Sequence, residues 1–205
     1  MSTSQVNRTV RNLKDGKPQH IIVYGTSLTA GGAWVEQVRA VLETRFPGLA
    51  RITNSGKGAM WSGWGVDNLD ERVVRLKPDA VIMEFGMNDA YLPYATTTEM
   101  CCLNLTKMID RILAAHPECE IILWTTNECI GKHRETRPKL EEYYQVYREV
   151  AAERGLRFVD LYPEWVQILK NDPDAFNRYV PDGIHPRELG SEKVTTPAIL
   201  AALGV

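Results

Sequence analysis

The sequence predicts a single α/β domain built on a parallel sheet with helices on both faces. Three observations predict it. Five short apolar runs alternate with helical patterns along the chain. Most of these runs are rich in Ile and Val and nearly continuous in apolarity, as strands covered on both faces are. No repeat, linker or low-complexity segment divides the 205 residues, and single domains commonly hold about 100–200 residues.

The expected strands are residues 21–24, 51–54, 80–85, 121–125 and 157–161, with 51–54 the least apolar of them. Residues 33–46 carry Trp34, Val38, Val41, Leu42 and Phe46 on one side, and Pro47-Gly48 ends that helix. A shorter helix over 66–76 stops before Pro78. Residues 97–115 place Leu103, Leu105, Met108, Ile109, Ile112 and Leu113 in a helical pattern, with threonines available as N-cap. A charged helix starts near Pro138 and runs to Arg154, where Gly155 suits the C-cap. Thr196-Pro197 reads as an N-cap followed by proline at the first helical position. Strand then helix, repeated, implies right-handed crossovers and helices on both faces. Residues 1–19 are expected to be an N-terminal extension, and 20–205 the domain.

Composition narrows the function classes. Formal net charge is −2, from 24 basic and 26 acidic residues, without a long run of one sign. Nucleic acid and anionic membrane are therefore poor partners. Met1 to Pro18 is polar and lacks the apolar core of a signal peptide. No apolar stretch reaches the about 18–20 residues that span a bilayer. The expected compartment is the cytoplasm, or the exterior if a leader has been removed. Cys101, Cys102, Cys119 and Cys129 fit neither a disulfide framework nor a zinc knuckle and read as reduced thiols. His116 and Cys119 in "HPEC" lack further ligands, so no metal or other cofactor is expected.

In open parallel sheets, ligands bind beyond the carboxyl ends of the strands. Four blocks lie there: "GTSLTAGG" (25–32), "NSGKGA" (54–59), "GMND" (86–89) and "PDGIHP" (181–186). Taken singly, each has a plain reading. Ser27 is a helix cap, Gly56 and Gly58 are turn residues, Asn88-Asp89 is a turn, and His185 is a surface histidine. The first block matches neither phosphate-binding glycine pattern nor G-x-S-x-G. Taken together, they fit acyl transfer by serine. That chemistry needs a base beside the hydroxyl, a carboxylate orienting the base, and donors facing the oxyanion. Asp182 and His185 are three apart with glycine between, so the carboxylate can fold back to the imidazole Nδ1–H. Nε2 is then free to take the Ser27 proton. Asn88 carries an amide that can complete an oxyanion hole with the Ser27 N–H.

These four ordered blocks resemble those of the SGNH hydrolases, the GDSL-like esterases and lipases. "GMND" and "DGIHP" are the most specific pieces, and the resemblance spans nearly the whole chain. It implies a flavodoxin-like three-layer α/β/α sandwich with a five-stranded parallel sheet. It also implies metal-independent hydrolysis of carboxylic esters through an acyl-enzyme. Two departures stand out. Thr26 replaces the family's aspartate in "GDSL". In the second block, the family's spacing from Asn54 puts the oxyanion N–H on Ala59, with Gly58 as the alternative.

Aromatic residues beside the blocks, Trp61, Trp64, Tyr91 and Tyr94, read either as a platform for a sugar or acyl group or as loop packing. His133 in "GKHRETRP" reads as an exposed histidine more readily than as a ligand contact. Glu84, at the end of a buried strand, is expected to bond to neighbouring loops. The favoured substrates are short acyl esters, O-acetyl groups on carbohydrate above all. A lysophospholipase or thioesterase activity is the alternative within the family. A non-catalytic phosphate- or nucleotide-binding module at residues 25–32 is the alternative outside it, and that module has no use for Asp182 and His185. The oligomeric state is not legible.

Overall fold

A computed structural model describes residues 7–205; the first six residues of the expected extension lie outside the described part. The chain runs α1 (Arg8–Lys14), β1 (Gln19–Gly25), α2 (Ser27–Ala30), α3 (Ala33–Arg45), β2 (Ala50–Asn54), α4 (Ser62–Arg72), β3 (Ala80–Glu84), α5 (Gly86–Asp89) and α6 (Thr98–Ala115). It continues through β4 (Glu120–Thr125), α7 (Lys132–Glu135), α8 (Leu140–Arg154), β5 (Arg157–Asp160), α9 (Tyr162–Asn171), α10 (Pro173–Tyr179), α11 (Glu188–Gly190) and α12 (Thr196–Leu203).

The five strands form one sheet in the order β2-β1-β3-β4-β5, and every pairing is parallel. Side chains alternate between its faces, as the strand period of two requires. Ile22, Tyr24, Val81, Met83, Ile121 and Leu123 enter the core beneath α4, α6 and α8. Ile21, Val23, Ala80, Ile82, Ile122 and Trp124 enter the opposite core, which α1, α3 and α12 cover. The result is the three-layer α/β/α sandwich. β1 is the switch point: the chain leaves it toward β2 on one side and returns to β3 on the other. A ligand crevice is expected there, at the carboxyl ends.

Some elements depart from the sequence reading. Within the expected extension, Asn7 caps α1 by accepting from the Val10 N–H at 3.0 Å. Val10 and Leu13 are buried in the second core. The helix expected at 66–76 starts earlier, at Ser62, because the Asp89 carboxylate accepts the Ser62 N–H at 2.8 Å. It stops at Arg72, and Val74–Leu76 tighten into a 3-10 turn. Thr196 is not an N-cap. The chain is already helical before it, through a π-helical turn at Ser191–Thr195. Pro197 has no N–H to donate, and the widened turn just ahead of it absorbs that loss. The amphipathic helices α9 and α10 bury Trp165 and Phe176 and had no counterpart in the sequence reading. The four cysteines are free thiols.

Candidate active site

β1 delivers the chain to the crevice, and Thr26 turns it into α2. Thr26, not Ser27, is the cap: its Oγ1 accepts the Leu28 N–H at 3.2 Å. Ser27 follows at the first helical position, with its hydroxyl released from capping. Ser27 Oγ lies 2.9 Å from His185 Nε2. Beneath the turn, the buried Glu84 carboxyl accepts the Thr26 N–H at 2.7 Å and the Thr29 hydroxyl at 2.8 Å. The Thr26 hydroxyl reaches the same oxygen at 3.0 Å. Full burial pushes Glu84 up to about 8, against the pull of the Thr29 and Thr26 hydrogen bonds. A Cβ on Gly25 would stand 2.2 Å from Glu84 Oε1, so this close approach requires glycine.

Asp182 folds back on His185 as its spacing allows. Its Oδ1 accepts the backbone N–H of Ile184 at 3.1 Å and of His185 at 2.8 Å. Its Oδ2 accepts the Nδ1–H of His185 at 2.9 Å, which leaves Nε2 as the acceptor facing Ser27. Partial burial pushes Asp182 up, but the three hydrogen bonds from His185 and Ile184 outweigh it and bring the carboxyl down to about 2. Gly183 turns the loop with φ +83°. The stretch after β4 fastens this loop from behind: the Ile130 N–H donates to Gly183 O at 2.9 Å, and Asn127 Nδ2 to Ile184 O at 2.8 Å.

The second block sits against the first, with the Lys57 N–H donating to Gly25 O at 2.9 Å. Gly58 lines the same cavity as Ser27, and a Cβ built on it would lie 3.9 Å from Ser27 Cβ. Ala59 takes a left-handed conformation, φ +57°, and its carbonyl accepts the Tyr94 hydroxyl at 2.6 Å. Asn88 is buried; its Nδ2 donates to Met60 O at 2.8 Å, and its Oδ1 accepts from Arg137 Nη2 at 3.3 Å. Burial likewise pushes the neighbouring Asp89 up, to about 6, against the Ser62 N–H.

Ser27, Gly58, Asp182 and His185 open on a cavity of about 520 Å³, a volume typical of small-molecule sites. Trp124, Asn127 and Ser191 also line it. Each carries a buried polar atom, Nε1, Oδ1 and Oγ respectively, without a hydrogen-bond partner among the described residues. None of Trp61, Trp64 and Tyr91 lines this cavity, nor do Ala59 and Asn88. Trp61 stacks on Tyr94 at 4.9 Å, Tyr94 meets Tyr91 edge-on at 5.1 Å, and Arg137 lies 4.6 Å from the Tyr91 ring. Trp64 packs on the first core, 6.0 Å from Tyr24 and under the Arg72 guanidinium.

His133 is half-buried; desolvation and the nearby Arg137 and Lys132 charges push it down. His116 bonds to Val74 O at 2.8 Å. Among the described residues no group of three or more His, Cys, Asp or Glu side chains could hold a metal. No helix among them is long and apolar enough to cross a membrane. Sequence reasoning passed over Arg137, Asn127, Trp124 and Ser191. The position of Asn127 just beyond the end of β4 was the one signal that could have found it.

The model of the GDSL-like lipase/acylhydrolase family matches residues 22–193. The lipase/acylhydrolase from Enterococcus faecalis is 27% identical, with a TM-score of 0.76 over 89% of this chain and 94% of that one. An α/β hydrolase enzyme from the metagenome of Lake Arreo is also 27% identical, with a TM-score of 0.76 over 92% and 96%. The acetylxylan esterase Axe2 from Geobacillus stearothermophilus shares the fold at 24% identity, with a TM-score of 0.76 over 93% and 96%. A comparison with curated protein sequences gave no match. The family match over most of the length, on this five-stranded parallel scaffold, places the chain in the GDSL-like lipase/acylhydrolase family, as an ester hydrolase.

Proposed function

We propose that this hydrolase cleaves short acyl esters of hydroxyl-rich alcohols, O-acetyl carbohydrate foremost, through an acyl-enzyme on Ser27. The row Asp182–His185–Ser27, with both links at 2.9 Å, carries the proposal. His185 Nε2 removes the Ser27 proton as Oγ attacks the ester carbonyl. Asp182, still ionised far below neutral pH, holds the Nδ1–H tautomer and stabilises the imidazolium. The Ser27 N–H, the Gly58 N–H and the second N–H of the Asn88 amide receive the oxyanion. Ala59 remains the alternative to Gly58, whose place in the cavity wall beside Ser27 favours it. The C–O bond to the alcohol then breaks, and His185 returns its proton to the departing alkoxide. Water, deprotonated by the same imidazole, repeats the sequence on the acyl-enzyme and frees the acid.

Support for a hydroxylated alcohol comes from Trp124, Asn127 and Ser191. These residues bring polar side chains to the cavity wall, and each holds one buried polar atom without a partner among the described residues, where buried polar atoms are normally paired. A long alkyl chain satisfies none of them. That an acetylxylan esterase shares the fold agrees with this reading. The test is hydrolysis of p-nitrophenyl esters from acetyl to decanoyl by the wild type and Ser27→Ala, followed by acetylated xylo-oligosaccharides. Turnover of acetyl esters that vanishes in Ser27→Ala is expected. A preference for long chains overturns the short-acyl reading, and full activity in Ser27→Ala overturns the nucleophile.

A further inference from the structure

Behind the Asn88 amide sits a buried cation that pairs with no carboxylate among the described residues. Arg137 is 6% exposed. Its Nε donates to Met87 O at 2.8 Å, and its Nη1 to His133 O at 3.3 Å and Thr136 Oγ1 at 3.2 Å. Its Nη2 donates to Asn88 Oδ1 at 3.3 Å, and its face covers the Tyr91 ring. Every one of these partners is neutral. Among the described residues no carboxylate forms an ion pair with it, although eleven pairs of Arg or Lys with a carboxylate exist elsewhere. A buried charge without a counter-charge is costly, and a fold keeps one where something repays it.

Asn88 shows what repays it. One amide N–H is spent on Met60 O, and the carbonyl oxygen is spent on Arg137. The amide cannot flip without facing its NH₂ group to the guanidinium. A cation on the carbonyl end also draws electron density from the nitrogen, which makes the remaining N–H a stronger donor. We propose that Arg137 is a positioning residue for the oxyanion: it fixes the Asn88 amide through Oδ1 and sets an unbalanced positive charge behind it, so that negative charge developing on the ester oxygen is its missing counter-charge. This rests on the oxyanion role given to Asn88 above. Both tetrahedral intermediates carry that charge, so acylation and deacylation benefit together, while the neutral ester gains nothing.

The experiment compares wild type, Arg137→Lys and Arg137→Gln. It measures kcat and KM for p-nitrophenyl acetate and the inhibition constant of a small alkylboronic acid, which forms an anionic tetrahedral adduct on a reactive serine. Melting curves check the fold. The expected kcat/KM falls about 30-fold for Gln and about 5-fold for Lys, with boronate affinity falling in the same order and KM within about twofold. A Gln variant within about twofold of wild type overturns the proposal, as does a Lys variant as poor as Gln, or a rate loss with boronate affinity unchanged. If Arg137→Gln does not fold, Arg137→Lys decides alone: parallel losses support the proposal, and unchanged values overturn it. A wild type that neither turns over the ester nor binds the boronate defeats the esterase reading instead.

Discussion

Asn127 Nδ2 donates to Ile184 O at 2.8 Å, and so the end of β4 carries the loop that holds His185. The two residues are 57 apart in sequence. The bond fixes the backbone one residue before the imidazole, and a second bond, from Ile130 N–H to Gly183 O, fixes it one residue earlier. Asn127→Ala is expected to lower kcat about 10-fold even on p-nitrophenyl acetate, because displacing the proposed base slows every ester. Steady-state kinetics on p-nitrophenyl acetate is the check, and an unchanged kcat there shows that the bond to Ile184 O does not position His185.

The cavity wall makes the opposite prediction. Ser191→Ala removes only the unpaired hydroxyl. It is expected to lower kcat/KM for acetylated sugars by about 3- to 10-fold, the worth of one hydrogen bond, and to leave p-nitrophenyl acetate unchanged. Equal effects on both substrates mean that this hydroxyl pairs with water rather than with a substrate hydroxyl.

Asp182 stays ionised down to about pH 2. Its protonation therefore takes no part in the rate profile above that pH. Asp182→Asn presents an NH₂ group to Nδ1 and favours the wrong tautomer. A loss of about 10²–10⁴ in kcat is expected, with KM little changed. An Asp182→Asn variant within about twofold of the wild type in kcat speaks against this division of roles.

Glu84 ties pH to stability. Its ordinary value is 4.5, and burial raises it to about 8 in the folded chain. Between these values the folded state binds the proton and the unfolded state has lost it. Its contribution to stability is therefore complete below about pH 4.5 and is lost as pH rises toward 8, by at most about 1.4 kcal/mol per pH unit. Glu84→Gln keeps an acceptor for Thr26 and Thr29 without the titration. Urea unfolding at pH 5 and pH 8 is expected to show the wild type weakening relative to Glu84→Gln. A constant difference between the two counts against a raised Glu84.

Ala59 holds φ +57°, where a Cβ is strained. Ala59→Gly is expected to stabilise the chain by about 0.5–1 kcal/mol, the relief of left-handed strain less the added freedom of glycine. With the loop unchanged, kcat stays within about twofold. Chemical denaturation and p-nitrophenyl acetate hydrolysis measure the two effects.

What the sequence determined by itself was the periodic and the local. Strand runs such as 80–85 are apolar on both faces because both faces are covered, and that pattern is written residue by residue. Asp182-Gly-Ile-His185 is a turn whose carboxylate meets its own imidazole, so its chemistry is legible within four residues. The tertiary structure alone decided what depends on distant partners. Thr26 became the cap of α2 while Glu84, 58 residues away, took its N–H. The start of α4 was set by Asp89 rather than by its own residues. Arg137 reached Asn88 only because the segment after β4 folds over α5, and Trp124 and Asn127 became cavity wall only once the π-helical turn at Ser191–Thr195 came to line the same cavity. Hydrogen bonds and buried charges act across space without regard to sequence separation. They leave no period to read, and so the support of the site became visible only when the sheet had assembled it.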